Sequence, residues 1–423
     1  MRFAIALLLL VPTFAVCAQD LKAELAPAID EVMPRVIEWR RDIHKHPEVS
    51  NREQRTAALV AAHLRDLGLD EVTTGFARHG VIGVLRGARP GPIVALRADM
   101  DALPVTEASG LSFASVNEGV MHACGHDAHT AMLMGAAEVL AGARDQLAGT
   151  VVFVFQGAEE GPPPGEEGGA SLMVEEGLFA GDDAPEAIFG LHVYPYPAGH
   201  LYYKTEGFLA ASDRLKITVR GKQTHGSQPW AGIDPVTVSG QLLLALQTIP
   251  SRQLDVTVAP AVVTIGSIHG GTRWNIIPDE VVLEGTLRTY DAAMRDDLVA
   301  RLRRTVAKTA EAAGAGAEVT IEQNAPVTWN EPALTRRMVP TLEWAAGAGR
   351  VAEGRAQTVA EDFAYFQQEV PGMYFLLGVN AEGLGAGEAA PNHSPQFHVN
   401  EGALVTGVRA LTGLAIDYLQ PGG

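Results

Sequence analysis

Cysteine, net positive charge and long apolar runs are all scarce in this chain, and each scarcity excludes something. There are 2 cysteines in 423 residues. Cys17 falls in an N-terminal stretch with the pattern of an export leader: Arg2, then an apolar run from Phe3 to Val16, then Val16 and Ala18 as small residues around a cleavage point. Residues 1–18 therefore read as a signal peptide cleaved after Ala18, and the mature chain as exported, periplasmic or secreted. An uncleaved anchor and lipidation at Cys17 are the alternatives; the apolar run is short for a stable bilayer span. Once the leader is removed Cys124 stands alone, so no intrachain disulfide can form. A lone cysteine of this kind is an inert buried residue, a reactive thiol or a metal ligand. Lysine and arginine number 32 against 50 acidic residues, a formal net charge of −18. Phosphate backbones need basic surface, so nucleic acid is excluded as a partner. Charged residues make up 19% and hydrophobic residues 47%, which excludes a disordered chain. The length suits two domains better than one core.

Periodicity organises the remainder. Helical spacing covers 20–46, where Leu21, Leu25, Ile29, Val32, Val36 and Ile43 recur on one face, and again 52–67, 128–143 and 170–178. Apolar β-rich runs lie at 81–85, 92–96, 150–155 and 187–192. This alternation predicts an α/β sheet with helices on both faces, whose ligands gather at the carboxyl ends of strands. From about Thr205 the pattern becomes strand 215–219, helix 234–247, strands 256–268 and 281–288, helix 294–313 and strand 317–322. That β-α-β-β-α-β order is the ferredoxin-like split unit. The expected division is a catalytic domain at 19–205 and 323–423, interrupted by an inserted α+β domain at 206–322. Helices 334–346 and 401–419 and strand 373–377 complete the first domain.

Several metal-compatible groups lie at the ends of these elements. Cys124 and His126 sit in His122-Ala123-Cys124-Gly125-His126-Asp127-Ala128-His129-Thr130, on a glycine-containing loop before a helix. His192 ends one apolar strand, Glu159 and Glu160 follow another, and His393 lies in Pro391-Asn392-His393-Ser394-Pro395. A thiolate, imidazoles and carboxylates suit zinc, manganese or cobalt. Two adjacent carboxylates in a regular strand would face opposite ways. After a fully apolar run they instead mark a break where both turn into a pocket, one to hold metal and the other to act as a base. Asp127 and His129 read as supporting groups, Asp127 as a cap of the following helix. Asp99 and Asp101, at another strand end, either orient a ligand histidine or are turn carboxylates before Pro104.

These segments together resemble the co-catalytic metallopeptidases of the aminoacylase and glutamate-carboxypeptidase type. The resemblance is greatest to their amidohydrolase branch, the hippurate-hydrolase and auxin-conjugate-hydrolase-like enzymes. It runs from about Val36 to Leu419 and includes His44-Lys45-His46-Pro47-Glu48, Ala360-Glu361-Asp362-Phe363 and Asn275-Ile276-Ile277-Pro278-Asp279 beside the segments above. It implies Cys124, His126, Glu160, His192 and His393 as ligands of one or two divalent ions, with Glu159 as general base and acid. It implies that the insert is a dimerisation or lid domain, in a homodimer or higher homo-oligomer. It implies that His225, in Thr224-His225-Gly226-Ser227, polarises the scissile carbonyl, in relatives from a partner subunit. Asn275 and Arg288 would contact substrate, Arg288 its carboxylate; Arg288 also fits an exposed strand position. Where the wider family places a His-x-Asp ligand, this chain has Asp99, which favours the amidohydrolase branch. The implied substrate is an N-acyl amino acid. A dipeptidase or carboxypeptidase is the alternative, and a catalytically silent peptide-binding protein a remote one.

Overall fold

The computed structural model describes residues 18–420 apart from 183, 382 and 386. The segment read as a leader lies outside the described residues except for Ala18, which opens the first helix, Ala18–Lys45.

An eight-stranded mixed sheet forms the larger unit. Its spatial order is Glu71–Phe76, Gly80–Arg86, Ala148–Gln156, Arg89–Asp99, Ala187–Tyr194, Gly372–Gly378, Leu201–Tyr203 and Val351–Glu353. The four central strands run parallel, with Asp99 opposite Gln156 and Leu376 opposite His192. Being covered on both faces, they are almost continuously apolar, as in Val151-Val152-Phe153-Val154-Phe155. On one face lie the helices Ala18–Lys45, Gln54–Asp66, His126–Gly142, Pro332–Ala346 and Leu404–Leu419. On the other, Gly169–Glu175 and Ala364–Glu369 cover Val152, Val154, Ile188 and Tyr374. The parallel strands bring their carboxyl ends to one edge, and that edge carries Asp99, Glu159, Glu160 and His192.

A second, antiparallel sheet is built from Ala211–Arg220, Ala261–Gly270, Glu280–Thr289 and Gly316–Ala325. Numbered along the chain its order is 2-3-1-4. The helices Pro235–Arg252 and Ala292–Ala312 pack on one face, setting Leu242, Leu298 and Leu302 against Leu215, Ile217 and Leu283 of the sheet. Both begin at aspartate caps: Asp234 accepts from the Val236 and Thr237 N–H groups, and Asp291 from Met294 N–H.

Some expectations need correction. The strand expected at 256–268 begins only at Ala261. The Asp255 carboxylate accepts from Thr257 N–H and Oγ, a local turn that competes with the ladder and leaves Val256 and Val258 exposed. The strands Glu71–Phe76 and Val351–Glu353 at the two edges, and Leu201–Tyr203 next to one of them, escape periodicity because they are exposed or only three residues long. Asp127 does not cap the helix His126–Gly142; its side chain turns back to Arg40 Nε at 2.7 Å and His44 Nδ1 at 2.9 Å.

Candidate metal centre

Gly125 allows Cys124 and His126 to sit two residues apart on one loop. Its φ is 95°, and a Cβ there would lie 2.3 Å from Val193 Cγ2, so only glycine lets the loop press against the strand that carries His192. Cys124 Sγ consequently lies 3.2 Å from His192 Nε2. His192 Nδ1–H donates to the Val193 carbonyl at 2.7 Å, which leaves Nε2 as the lone-pair nitrogen facing the sulfur. Burial, with His129 and His126 nearby, holds the His192 pKa well below the usual histidine range, so the ring is neutral.

His393 reaches the same place from 201 residues beyond His192, with its backbone in the left-handed region at φ 69°. His393 N–H donates to Ala123 O at 2.8 Å, and Asn392 Nδ2 donates to Cys124 O at 3.0 Å and Val193 O at 3.2 Å. Three segments are thus tied together by backbone contacts next to the donor atoms. His393 Nε2 lies 3.0 Å from Glu160 Oε1, yet that buried oxygen has no hydrogen-bond partner. Both ring nitrogens of fully buried His126 also lack a hydrogen-bond partner, although Asp101 Oδ1 is 3.3 Å from Nδ1.

The donors fall into overlapping triangles with atoms within 4.8 Å of one another: Cys124, His126 and His192; Cys124, Glu160 and His393; and His126, Glu159 and Glu160. Orphaned buried donors converging in this way fit divalent metal, and Cys124 belongs to two of the triangles. Charge points the same way. Burial, then Glu361, Glu160, Asp362 and Asp99, push the Glu159 carboxyl well above its ordinary pKa. Burial, then Glu160 and Glu159, do the same to the Cys124 thiol. At His126 burial opposes a positive charge, but Asp99 and Asp101 overcome it and raise the pKa to about 10. The cluster is short of positive charge, which a dication supplies.

The turn that directs both glutamates inward has an identifiable cause. The strand ends at Gln156, and Ala158 takes φ 57°. Ala158 N–H donates to Glu53 Oε1 at 2.8 Å, Glu159 N–H to Asp101 Oδ1 at 3.0 Å and Glu160 N–H to Asp101 Oδ2 at 3.1 Å. Asp101 is therefore both a backbone clamp and a neighbour of His126. Asp99 serves His129: His129 Nδ1 is 2.6 Å from Asp99 Oδ1, and His129 Nε2 accepts from Val193 N–H at 2.8 Å. Both nitrogens of His129 are thus committed. Behind Glu159, Arg97 is wholly buried and pairs with Asp99 at 2.6 Å, Glu361 at 3.0 Å and Asp362 at 3.1 Å.

Two cavities open on the glutamate pair. One, of about 410 Å³, has Cys124, His192, Asn392 and His393 on one wall and Tyr194, Pro195, Leu209, Val359, Leu376 and Pro391 on the other. The larger, of about 760 Å³, lies towards the second sheet and includes Arg288, Ser212, Gln323 and Asn324. Arg288 Nη1 donates to Ser212 Oγ at 2.6 Å. The Pro-rich loop after Glu160 borders this cavity and is pinned: Glu166 pairs with Arg52, and the Glu167 carbonyl accepts from Asn51 Nδ2 and Arg78 Nε. His225 and Asn275 line neither cavity. They lie near each other on the insert, where His225 pairs with Ile276 and Gly226 N–H donates to Asn275 O at 2.9 Å; His225 is exposed and Asn275 half-buried. Ser227 N–H donates to His225 Nδ1 at 3.1 Å, which makes Nδ1 the acceptor and leaves the proton on Nε2.

Sequence reasoning assigned no role to Glu53, Arg97, Glu361, Tyr374 or Asn392. The adjacent carboxylates Glu361 and Asp362 were a visible signal; Glu53 had none, because the partner that gives it a role, Ala158, lies 105 residues away.

Comparison with known proteins follows the same lines. The profile described as "Peptidase family M20/M25/M40" matches residues 95–417. Thermostable carboxypeptidase 2 of Saccharolobus solfataricus is 41% identical over 94% of this chain and 99% of its own length. N-acetyl-L-cysteine deacetylase of Bacillus subtilis is 36% identical over 91% of this chain and 88% of its own. A crystal structure of a Bacillus subtilis protein, titled a dinuclear metal-binding peptidase of the M20 family, superposes with a TM-score of 0.78. It is 33% identical and covers 92% of this chain and 99% of that one.

Proposed function

The chain belongs to peptidase family M20/M25/M40 and is a metal-dependent hydrolase of carbon–nitrogen amide bonds, and from this premise we propose that its substrates are N-acyl amino acids. The observation that carries the proposal is the smaller cavity. Beyond the metal-ligating cluster and Glu159, its one charged group is Glu361. Both Glu361 oxygens are committed, Oε1 to Arg97 and Phe363 N–H, and Oε2 to the Tyr374 hydroxyl. No uncommitted carboxylate is left there for a free α-ammonium group, whereas the Tyr194, Leu209, Val359 and Leu376 wall suits a neutral acyl group.

Cys124, His126, Glu160, His192 and His393 would hold one or two divalent ions. When bound, such ions polarise the carbonyl and make water a competent nucleophile near neutral pH. Glu159 takes the proton of the attacking water and passes it to the departing amine. Its buried setting among other carboxylates favours holding that proton between the two steps. Arg288, positioned by Ser212, receives the substrate carboxylate in the larger cavity. His225 donates Nε2–H to the carbonyl oxygen as negative charge develops, with Asn275 beside it. Since both stand away from the cavities of their own chain, they act on a second copy, in a homodimer or higher homo-oligomer. The leader at 1–18 would deliver the enzyme outside the cytoplasm, to hydrolyse external amides.

The carboxypeptidase relative supports a second reading, cleavage of peptides at a free carboxylate, which the same Arg288 would serve. Comparing a free dipeptide with its N-acylated counterpart decides. Higher kcat/KM on the acylated form is expected; preference for the free dipeptide overturns the proposal.

A further inference from the structure

We infer that Glu53 is a positioning residue that sets the direction of the Glu159 side chain, acting on the backbone from outside the metal cluster. This rests on Glu159 being the base, as proposed above.

Glu53 is fully buried at the start of the helix Gln54–Asp66. It does little for that helix's free N–H groups, since no side-chain cap bond is made there. Its Oε1 instead accepts from Asn51 N–H at 2.9 Å and Ala158 N–H at 2.8 Å. The second bond crosses 105 residues of sequence and lands on the residue whose left-handed backbone ends the strand's direction. Gly157 completes the contact: a Cβ there would lie 3.0 Å from Glu53 Oε1 and 3.1 Å from its carboxyl carbon. The carboxylate therefore packs directly on the backbone that precedes Glu159.

Two neighbours reinforce this. Ser50 Oγ donates to Asp101 Oδ2 at 2.8 Å, and Asp101 holds the next two N–H groups, those of Glu159 and Glu160. The segment Ser50 to Glu53 thus touches all three consecutive peptide groups at the turn, one directly and two through Asp101. A non-glycine residue at φ 57° is unfavourable in isolation and persists only where surrounding contacts hold it. Releasing the Ala158 N–H lets the turn relax towards extended backbone, where successive side chains point to opposite faces. Both glutamates keep their Asp101 bonds, but the Glu160 side chain also stays 3.0 Å from His393 Nε2, whereas the nearest ion-pair partner of Glu159 is His126 Nε2 at 3.9 Å, so the loss falls on Glu159.

The test separates geometry from charge, with an N-acetyl amino acid as substrate. Glu53→Gln removes the charge and keeps an oxygen acceptor at the same reach. Its kcat should stay within about threefold of wild type. Glu53→Asp keeps the charge but withdraws the acceptor by one methylene. Its kcat should fall about 10–100-fold, the range for lost supporting hydrogen bonds around metal sites, with KM and metal content unchanged. Wild-type kcat in Glu53→Asp overturns the inference, as does Glu53→Gln being the poorer of the two. Thermal melting of both variants checks folding, and Glu159→Gln is run alongside. If Glu159→Gln keeps turnover, the assignment of the base fails; if it is inactive while Glu53→Asp is fully active, the positioning claim fails.

Discussion

Replacing Glu159 by Gln tests the proposed chemistry with little disturbance to the structure. The substitution is nearly isosteric, and the backbone N–H of residue 159 remains bound to Asp101 Oδ1 at 3.0 Å. The side chain is 9% exposed and has no salt-bridge partner closer than His126 Nε2 at 3.9 Å. No strong ion pair is broken, and removal of one charge from a site crowded with Glu361, Glu160, Asp362 and Asp99 should not destabilise the fold. What is lost is the capacity to take and deliver a proton. General acid–base catalysis contributes about 10²–10⁴ in rate, or about 3–5 kcal/mol of barrier. The expected result is a kcat lower by that factor, unchanged metal content and a similar KM, measured by amine release from an N-acyl amino acid. A Glu159→Gln variant that retains a tenth or more of wild-type kcat would falsify the assignment of the base.

Cys124→Ser should lower metal occupancy, since the sulfur belongs to two of the donor triangles; full occupancy would make the cysteine merely structural. If His225 acts across a dimer, mixing inactive His225→Ala with inactive Glu159→Gln protomers should restore turnover, because hybrid dimers contain one intact site. No recovery after subunit exchange would place His225 on its own chain's site or outside the reaction. Glu53 bears on stability against pH: burial and Asp101 raise its pKa from 4.5 to about 7 in the folded protein. A raised carboxyl pKa means that the folded state binds the proton more tightly. The associated stability is present below pH 4.5 and lost as pH rises to about 7, about 3 kcal/mol in all. Glu53→Gln should therefore gain melting temperature relative to wild type between pH 5 and pH 8; a constant difference across that range contradicts the shift.

What could be read from the sequence was what is local. Cys124, His126, Glu159, Glu160 and His192 lie in short segments at the ends of apolar strands or at a helix start, where parallel-sheet geometry brings them together. His393 was distant but flanked by an asparagine and prolines that mark an irregular loop. The supporting groups were not legible. Arg97 gains its role from Glu361 and Asp362, more than 260 residues later, and Glu53 from a turn 105 residues away. No periodicity encodes such pairings. Asp127 illustrates the converse: at a helix start the local rule predicts a cap, but Arg40 and His44 from another helix outcompete it. The split β-α-β-β-α-β order of the second sheet was visible because its strands alternate and its helices begin at aspartates. The three-residue strands Leu201–Tyr203 and Val351–Glu353 lacked enough residues to show a period.

The central claim is that divalent metal held by Cys124, His126, Glu160, His192 and His393 drives amide hydrolysis. The most direct measurement is metal content of the protein together with amine release from N-acyl amino acids, before chelation, after it, and after zinc, manganese or cobalt is returned. The account predicts bound metal, activity abolished by chelation and activity regained with one of these ions in proportion to occupancy. Undiminished amine release from protein verified to be free of metal would contradict it.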